Sequence, residues 1–329
     1  MKRVMKRRLP SAARSAALAL VLVMTCLMPA RAQSPNRVYR LGHLAPTQDS
    51  EILTRDITLR ELAKLGFVEG RNLVFDVRVG GPEALPGLMR ELLAGQPDAI
   101  VAIGPALAIA SAATRTLPIL TFGPDPIELG LAASYARPGG NVTGVVILIA
   151  ELEAKRLQLL QEAMPSGRRV AALFASAVTA SSEIALRAAA AGAGLELLSF
   201  TVAAPQDYPA AFAAMRASGA QALVISAKPA FYQDAERLAA LALEAGLPTA
   251  CEWADMARAG CLLGYGPNRT ALRQRMADQI ARIFRGVAPG DIAIERPALF
   301  EFAINLKTAR TLYLDLPAAI IARADEVIE

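Results

Sequence analysis

Short apolar runs alternate with amphipathic stretches along most of this chain. Val38–Leu44 reads as a strand, and Asp49–Leu65 carries Ile52, Leu53, Ile57, Leu59, Leu62 and Ala63 at helical spacing until Gly66 stops it. Leu73–Val79 predicts a second strand and Leu85–Ala94 a second helix. Ala99–Ile103 has few polar residues, as in a parallel sheet covered on both faces. Gly104-Pro105-Ala106 breaks that strand and opens a helix over Leu107–Thr114. After the apolar strand Leu117–Phe122, Asp125 stands as a candidate N-cap with Pro126 at the first helical position. A helix is predicted from there to Arg137-Pro138-Gly139-Gly140, where proline cannot continue the ladder, and Asn141–Val146 follows as an extended segment.

The same rhythm then restarts. Helices are predicted at Glu151–Met164, Ser181–Gly192, Tyr208–Ser218 and Gln233–Ala245. They interleave with strands at Arg169–Phe174, Glu196–Thr201, Ala222–Ser226, Pro248–Cys251 and Cys261–Gly264. Leu272–Arg285 is a helix closed by Gly286, and strand Ala298–Asn305 leads into helix Leu306–Leu314. Alternation of this kind means a doubly wound parallel sheet, and two successive runs predict an α/β fold of two such lobes. The second lobe repeats the architecture of the first without repeating its sequence.

The first residues change the picture of charge. Lys2, Arg3, Lys6, Arg7, Arg8 and Arg14 precede the apolar run Ala16–Leu27, and Ala30-Arg31-Ala32 follows it. A basic stretch, an apolar stretch too short to span as a mature helix and a small-x-small site predict a signal peptide cleaved after Ala32. A lipoprotein alternative through Cys26 fits less well, because Val23-Met24-Thr25 is a poor lipobox. Cleavage removes seven of the 35 basic residues and none of the 30 acidic ones, leaving 28 against 30. The basic balance therefore belongs mostly to the export signal, and the footprint of a nucleic-acid binder is missing. The 297 residues that remain are at the size where one core usually splits into two. In an oxidising compartment Cys251 and Cys261 could pair. With no framework of further cysteines, two buried thiols on adjacent strands are the expectation.

Reactive groups are scarce. The chain has a single histidine, His43, so metal sites built on several imidazoles are excluded and any Ser-His-Asp or Cys-His arrangement must run through that residue. Neither G-x-x-x-x-G-K-[ST] nor a strand-linked G-x-G-x-x-G occurs, and Gly80-Gly81 is followed by Pro82 and Pro86 where a dinucleotide turn needs glycine spacing. No cofactor and no metal are expected.

Several motifs carry a resemblance. Asp125-Pro126, Arg137-Pro138-Gly139-Gly140-Asn141-Val142-Thr143-Gly144, Tyr265-Gly266-Pro267, Ile304-Asn305-Leu306-Lys307-Thr308-Ala309 and Ala322-Arg323-Ala324-Asp325-Glu326-Val327-Ile328 stand in that order from about Tyr39 to the end. In these the chain resembles the periplasmic substrate-binding proteins of ABC transporters, in the family that includes the tryptophan-binding TrpX-type proteins. The resemblance implies the type I periplasmic-binding-protein architecture, with a three-crossover hinge near Gly144–Ala150, Tyr265–Asn268 and Ile294–Leu299. Lobe 1 would then hold residues 33–147 and 266–296, and lobe 2 residues 148–265 and 297–329.

Open α/β sheets bind ligands at the carboxyl ends of their strands. If the lobes close like jaws, the facing ends in lobe 1 are His43-Leu44-Ala45, Gly104-Pro105-Ala106 and Phe122-Gly123 with Asp125. His43 would make a hydrogen-bonding or stacking contact, or sit as a solvated loop residue. Helix N-termini after Gly104 and Gly123 could receive a carboxylate, while Asp125 is expected to cap its own helix. Lobe 2 offers Ser176, Ser226, Ala227, Glu252 and Trp253: Glu252 could hold an ammonium or hydroxyl group, and Trp253 could cover an aromatic ligand. Tyr265 belongs to a hinge-side motif, and its ring could floor the cleft. Two departures from the family pattern stand out, Pro105 where a hydroxyl residue is usual and Cys261 where a second glycine is commoner. The expected function is capture of a small carboxylate-bearing or aromatic solute for a permease in the inner membrane, by a monomer without enzymatic activity that binds no nucleic acid. A periplasmic sensor subunit and an exported α/β enzyme are the alternatives.

Overall fold

The computed structural model describes residues 37–164, 166–175 and 180–329. The expected signal peptide, residues 1–32, and Ser176 lie outside the described residues. In chain order the elements are β1 (Tyr39–Ala45), α1 (Gln48–Leu53), a π-helical stretch (Thr54–Leu59), α2 (Arg60–Lys64), β2 (Leu73–Val79), α3 (Leu85–Ala94), β3 (Ala99–Ile103), α4 (Ala106–Ala113), β4 (Ile119–Gly123) and β5 (Val142–Val146). Then follow α5 (Ile149–Ala163), β6 (Arg169–Ala175), α6 (Ala180–Gly192), β7 (Glu196–Val202), α7 (Tyr208–Ala217), β8 (Ala222–Ile225), α8 (Pro229–Gln233), α9 (Ala235–Glu244), β9 (Thr249–Cys251) and α10 (Ala254–Arg258). The chain ends with β10 (Leu263–Pro267), α11 (Arg269–Phe284), β11 (Phe300–Asn305), α12 (Leu306–Thr311), α13 (Ala318–Ile321) and β12 (Glu326–Ile328).

These strands build two sheets. The first has five strands in the order β2-β1-β3-β4-β5, all parallel, and every residue of β3, β4 and β5 is buried. Continuous apolar strands of this sort need helices on both faces, and two apolar clusters supply the packing. Leu41, Val101 and Leu120 meet the core on one side, and Ile100, Ala102 and Ile119 pack with α3 and α4 on the other. The second sheet has seven strands in the order β12-β11-β10-β9-β8-β6-β7. It is parallel except for β10 and β11, which pair antiparallel with Tyr265 opposite Phe302. That departs from an all-parallel lobe, because the chain leaves β10 for α11 and re-enters the sheet from the other end.

α11 follows β10 of the second sheet but packs against α2, the π-helical stretch and β5 of the first. Three connections therefore run between the two sheets' elements: β5 to α5, β10 to α11, and residues 294–300 back to β11. At the first of these Leu148 takes φ +57 before α5, a left-handed conformation that a leucine holds only when its surroundings dictate it. At the second, β10 presses on the loop after β9. A Cβ on Gly266 would lie 2.1 Å from the Glu252 carbonyl oxygen, so glycine is the residue that permits the approach.

Two expectations need correction. No helix follows Asp125. Gly130 turns left-handed at φ +67 after a single turn, and the segment to Gly140 runs as a loop pinned to residues 290–294 through Gly139 N to Gly290 O and Ile294 N to Tyr135 O. Nor are Cys251 and Cys261 separate thiols: they form a disulfide, because α10 turns the chain back so that Cys261 returns beside the end of β9.

Candidate functional site

The carboxyl ends of β3, β4 and β5 in one sheet and of β8 and β9 in the other converge on a cavity of about 350 Å³. From the first lobe its wall takes Gly104 and Pro105 at the end of β3, and Phe122, Gly123 and Asp125 around the end of β4. From the second it takes Ala227 after β8, and Glu252 and Trp253 after β9. These expected site residues are thus gathered at one place, and Leu129, Tyr135, Ile147 and Tyr232 extend the apolar wall. α4 begins at Ala106, just behind Gly104 and Pro105, so a helix N-terminus opens toward this side. The second helix N-terminus expected after Gly123 does not exist.

Other expected residues lie elsewhere. His43, Leu44 and Ala45 are fully buried inside the first lobe and are not in the cavity wall. The His43 ring packs against Phe75 at 5.5 Å, and neither ring nitrogen has a partner. Burial first, then the nearby Arg273 and Arg55 cations, push its pKa down to about 3, so the ring is neutral at ordinary pH. Ala106 joins the core under α4, and the Ser226 hydroxyl is buried without a partner. The Tyr265 ring stacks on Phe300 at 5.8 Å, away from the cavity wall, while its carbonyl accepts a hydrogen bond from Arg156. Asp125 caps a turn rather than a helix. Its Oδ1 accepts from Ile127 N at 2.8 Å and its Oδ2 accepts from the Tyr135 hydroxyl. That bond, with burial, pushes the Tyr135 phenol up to about 12.

The second lobe brings a closed polar cluster to the wall. Arg156, on α5, donates from Nε to Tyr265 O at 2.8 Å and from Nη2 to Glu252 O at 3.2 Å. Glu153, one turn earlier, accepts from Ala227 N at 3.0 Å and from the Ser182 hydroxyl. Glu252 is buried beside this pair. Desolvation raises its pKa to about 7 with a contribution from Glu153, against the pull of Arg156 and Arg269. Near neutral pH it can therefore present either a proton donor or a carboxylate to a guest. Burial likewise lowers the pKa of Lys228, with Glu153 and Glu252 opposing. Arg269 lines the cavity beside two rings: its guanidinium lies 4.2 Å from the Tyr232 ring and 5.1 Å from the Trp253 ring, and it pairs with Asp255 at 2.9 Å.

Arg273 and Arg156 were missed by motif reading, yet each leaves a signal in the helical periodicity. Arg273, Met276, Ala277, Ile280, Ala281 and Phe284 lie on one stripe of α11, and all are buried. Leu152, Arg156, Leu159, Leu160 and Ala163 do the same on α5. An arginine at a core position of an amphipathic helix marks a buried cation, which needs an explanation. Among the described residues no three His, Cys, Asp or Glu side chains gather as a metal set, and no helix is long and apolar enough to cross a membrane.

Comparison with known proteins adds to this geometry. The family described as ABC transporter substrate binding protein matches residues 48–328. A tyrosine-binding protein of Clostridioides difficile (strain R20291) is 27% identical over 121 residues, which is 35% of this chain and about a third (34%) of that protein's length. Among solved structures, a conserved domain protein of Vibrio cholerae superposes with TM-score 0.82 at 23% identity, over 88% of this chain and 100% of that one. The ABC domain of Streptococcus pneumonia in complex with L-Trp gives TM-score 0.80 at 22% identity with the same coverage of 88% and 100%.

Proposed function

The chain belongs to the ABC transporter substrate binding protein family, and from that premise we propose that it is a periplasmic receptor that captures a small aromatic, carboxylate-bearing solute, of the amino-acid kind, and presents it to an inner-membrane permease. The observation that carries this reading is the cavity itself. It lies between the strand ends of two sheets, with Phe122, Tyr135, Tyr232 and Trp253 as aromatic walls and Arg269, Arg273 and Glu252 as charged groups among them. Apolar walls with a few converging polar groups are how proteins hold small organic molecules. The L-Trp carried by the pneumococcal neighbour and the tyrosine in the clostridial relative's name support the same class of guest.

On this reading residues 33–147 with 266–296 form one jaw and residues 148–265 with 297–329 the other. They would swing about the three connections, and closure would complete a wall that neither jaw has alone. Binding of this kind needs shape and charge but no bond-making group, consistent with a histidine that lies off the cavity wall.

Trp253 is the single tryptophan of the chain and lies in the cavity wall. Adding L-tyrosine or L-phenylalanine to the exported form, residues 33–329, should change its emission saturably. The same ligands and L-tryptophan should raise the melting temperature in proportion to the logarithm of their concentration. No change in emission or melting with any of the three would overturn the proposed solute class.

A further inference from the structure

Resting on the reading that the cavity holds a solute, we propose that Arg273 is its anion anchor: the guanidinium is held beneath the wall by Thr54 and Phe122 with no carboxylate of its own, and a ligand carboxylate completes it. Arg273 is 2% exposed and lines the cavity. Its Nη1 donates to Thr54 Oγ1 at 2.6 Å, and its guanidinium lies 4.6 Å from the centre of the Phe122 ring. The Thr54 hydroxyl spends its own proton on Ser50 O at 2.8 Å, so its oxygen faces Arg273 as a fixed, neutral acceptor. Nε is buried without a partner. Among the described residues no Asp or Glu pairs with it.

Two other arginines near the cavity are placed differently. Arg269 has Asp255; Arg156 has two backbone carbonyls and the nearby Glu153 and Glu252, although its Nη1 too is buried without a partner. Arg273 alone of these three is left with one hydroxyl and a ring, and Arg269 adds repulsion, so that burial and this neighbour bring its pKa down to about 9. A buried cation without an anionic partner is a poor choice for stability, since a well-packed apolar side chain on the same stripe of α11 would serve the core better. It is a good choice for binding, because a planar guanidinium with free donors matches a carboxylate and the absent partner can be supplied by the guest. Thr54 opens the π-helical stretch Thr54–Leu59, a local irregularity of the kind that gathers at functional sites. Three segments far apart in sequence thus cooperate: 50–54 orients the hydroxyl, 122 supplies the ring and 273 the charge.

The test uses three probes with one ring: L-tyrosine, tyramine, which lacks the carboxylate, and 3-(4-hydroxyphenyl)propionate, which lacks the ammonium. Calorimetric titration of the wild type should show tyramine binding at least about 100-fold more weakly than L-tyrosine, the size expected when a buried charge loses its partner. In Arg273→Met that discrimination should collapse to within several-fold, and Arg273→Lys should restore part of it. The ligand-free melting temperature of Arg273→Met should equal or exceed that of the wild type. Equal binding of tyramine and L-tyrosine by the wild type, or unchanged discrimination in Arg273→Met, overturns the anchor while leaving the receptor reading intact. If none of the three binds, the solute class falls, and the ligand-free melting comparison decides the anchor: a rise supports it, and a fall of several degrees shows a structural arginine instead.

Discussion

Arg156 and Arg273 occupy equivalent positions in their helices. Each lies on the apolar stripe of a long helix, each is almost wholly buried, and each belongs to a different lobe beside the same cavity. Their surroundings are opposite. Arg156 ties α5 to β10 and to the loop after β9 through the carbonyls of Tyr265 and Glu252, and it lies near Glu153 and Glu252. The Cys251–Cys261 disulfide closes the same loop, so this wall of the cavity is braced from two directions. Arg273 braces nothing comparable, since its hydrogen bond goes to one side-chain hydroxyl. Each arginine keeps one buried nitrogen without a partner, Nη1 of Arg156 and Nε of Arg273, so burial alone does not say what a charge is for: a cation that ties distant backbone carbonyls together is part of the scaffold, and one held by a single hydroxyl is available to a guest.

The largest effect expected from breaking this contrast falls on Arg156. Arg156→Met strips two buried carbonyls of their donor and leaves Glu153 and Glu252 without the cation between them. Unfolding by urea should show a loss of about 3–5 kcal/mol, where Arg273→Met shows none; equal losses would erase the distinction between the two arginines.

Next comes pH, where the lobes pull in opposite directions. Glu252 holds its proton more tightly when folded, with a pKa of about 7 against 4.5, so between those values folding takes up a proton and stability falls as pH rises. His43 in the first lobe is the reverse. It stays neutral when folded down to about pH 3 but charges at 6.5 when unfolded, so between those values stability climbs with pH. From pH 4.5 to 6.5 the two contributions oppose each other. Relative to the wild type, Glu252→Gln should lose the falling contribution and His43→Leu the rising one, each on the order of 3 kcal/mol over the part of its window that lies above pH 4.5. Unfolding curves for the three proteins at pH 4.5, 5.5, 6.5 and 7.5 would check this, and parallel curves would refute it.

The smallest expected effect sharpens the idea of a braced wall. Replacing both Cys251 and Cys261 with alanine frees a loop whose ends are 10 residues apart and should remove about 3 kcal/mol or less. It should also weaken L-tyrosine binding, because the loop carries Glu252 and Trp253. A destabilised double variant with unchanged affinity would mean that the loop keeps its shape without the bond.

Much of the architecture was legible because it repeats locally. A parallel strand buried on both faces must be a short apolar run, and a covering helix must show apolar residues three and four apart, so β3, α3 and their counterparts in the second lobe announce themselves. Local signals failed where a residue's fate depended on a distant partner. Asp125-Pro126 carries every mark of a helix start, yet the left-handed turn at Gly130 and the pinning to residues 290–294 hold the segment as a loop. The strand-end rule left His43 as a cleft contact or a solvated loop residue, but the ring is fully buried against Phe75.

The sequence by itself determined the alternation of strands and helices, the two lobes and the shortage of reactive groups, since these follow from periodicity and composition within windows of a few residues. Only the tertiary structure decided which strand ends share one cavity, that Cys251 meets Cys261, and that Arg273 is held by one side-chain hydroxyl while Arg156 reaches two backbone carbonyls. The reason is physical: an arginine's donors are satisfied or not by groups as far away as Thr54 and Tyr265, 219 and 109 positions along the chain from their respective partners, and no local pattern encodes a contact of that range.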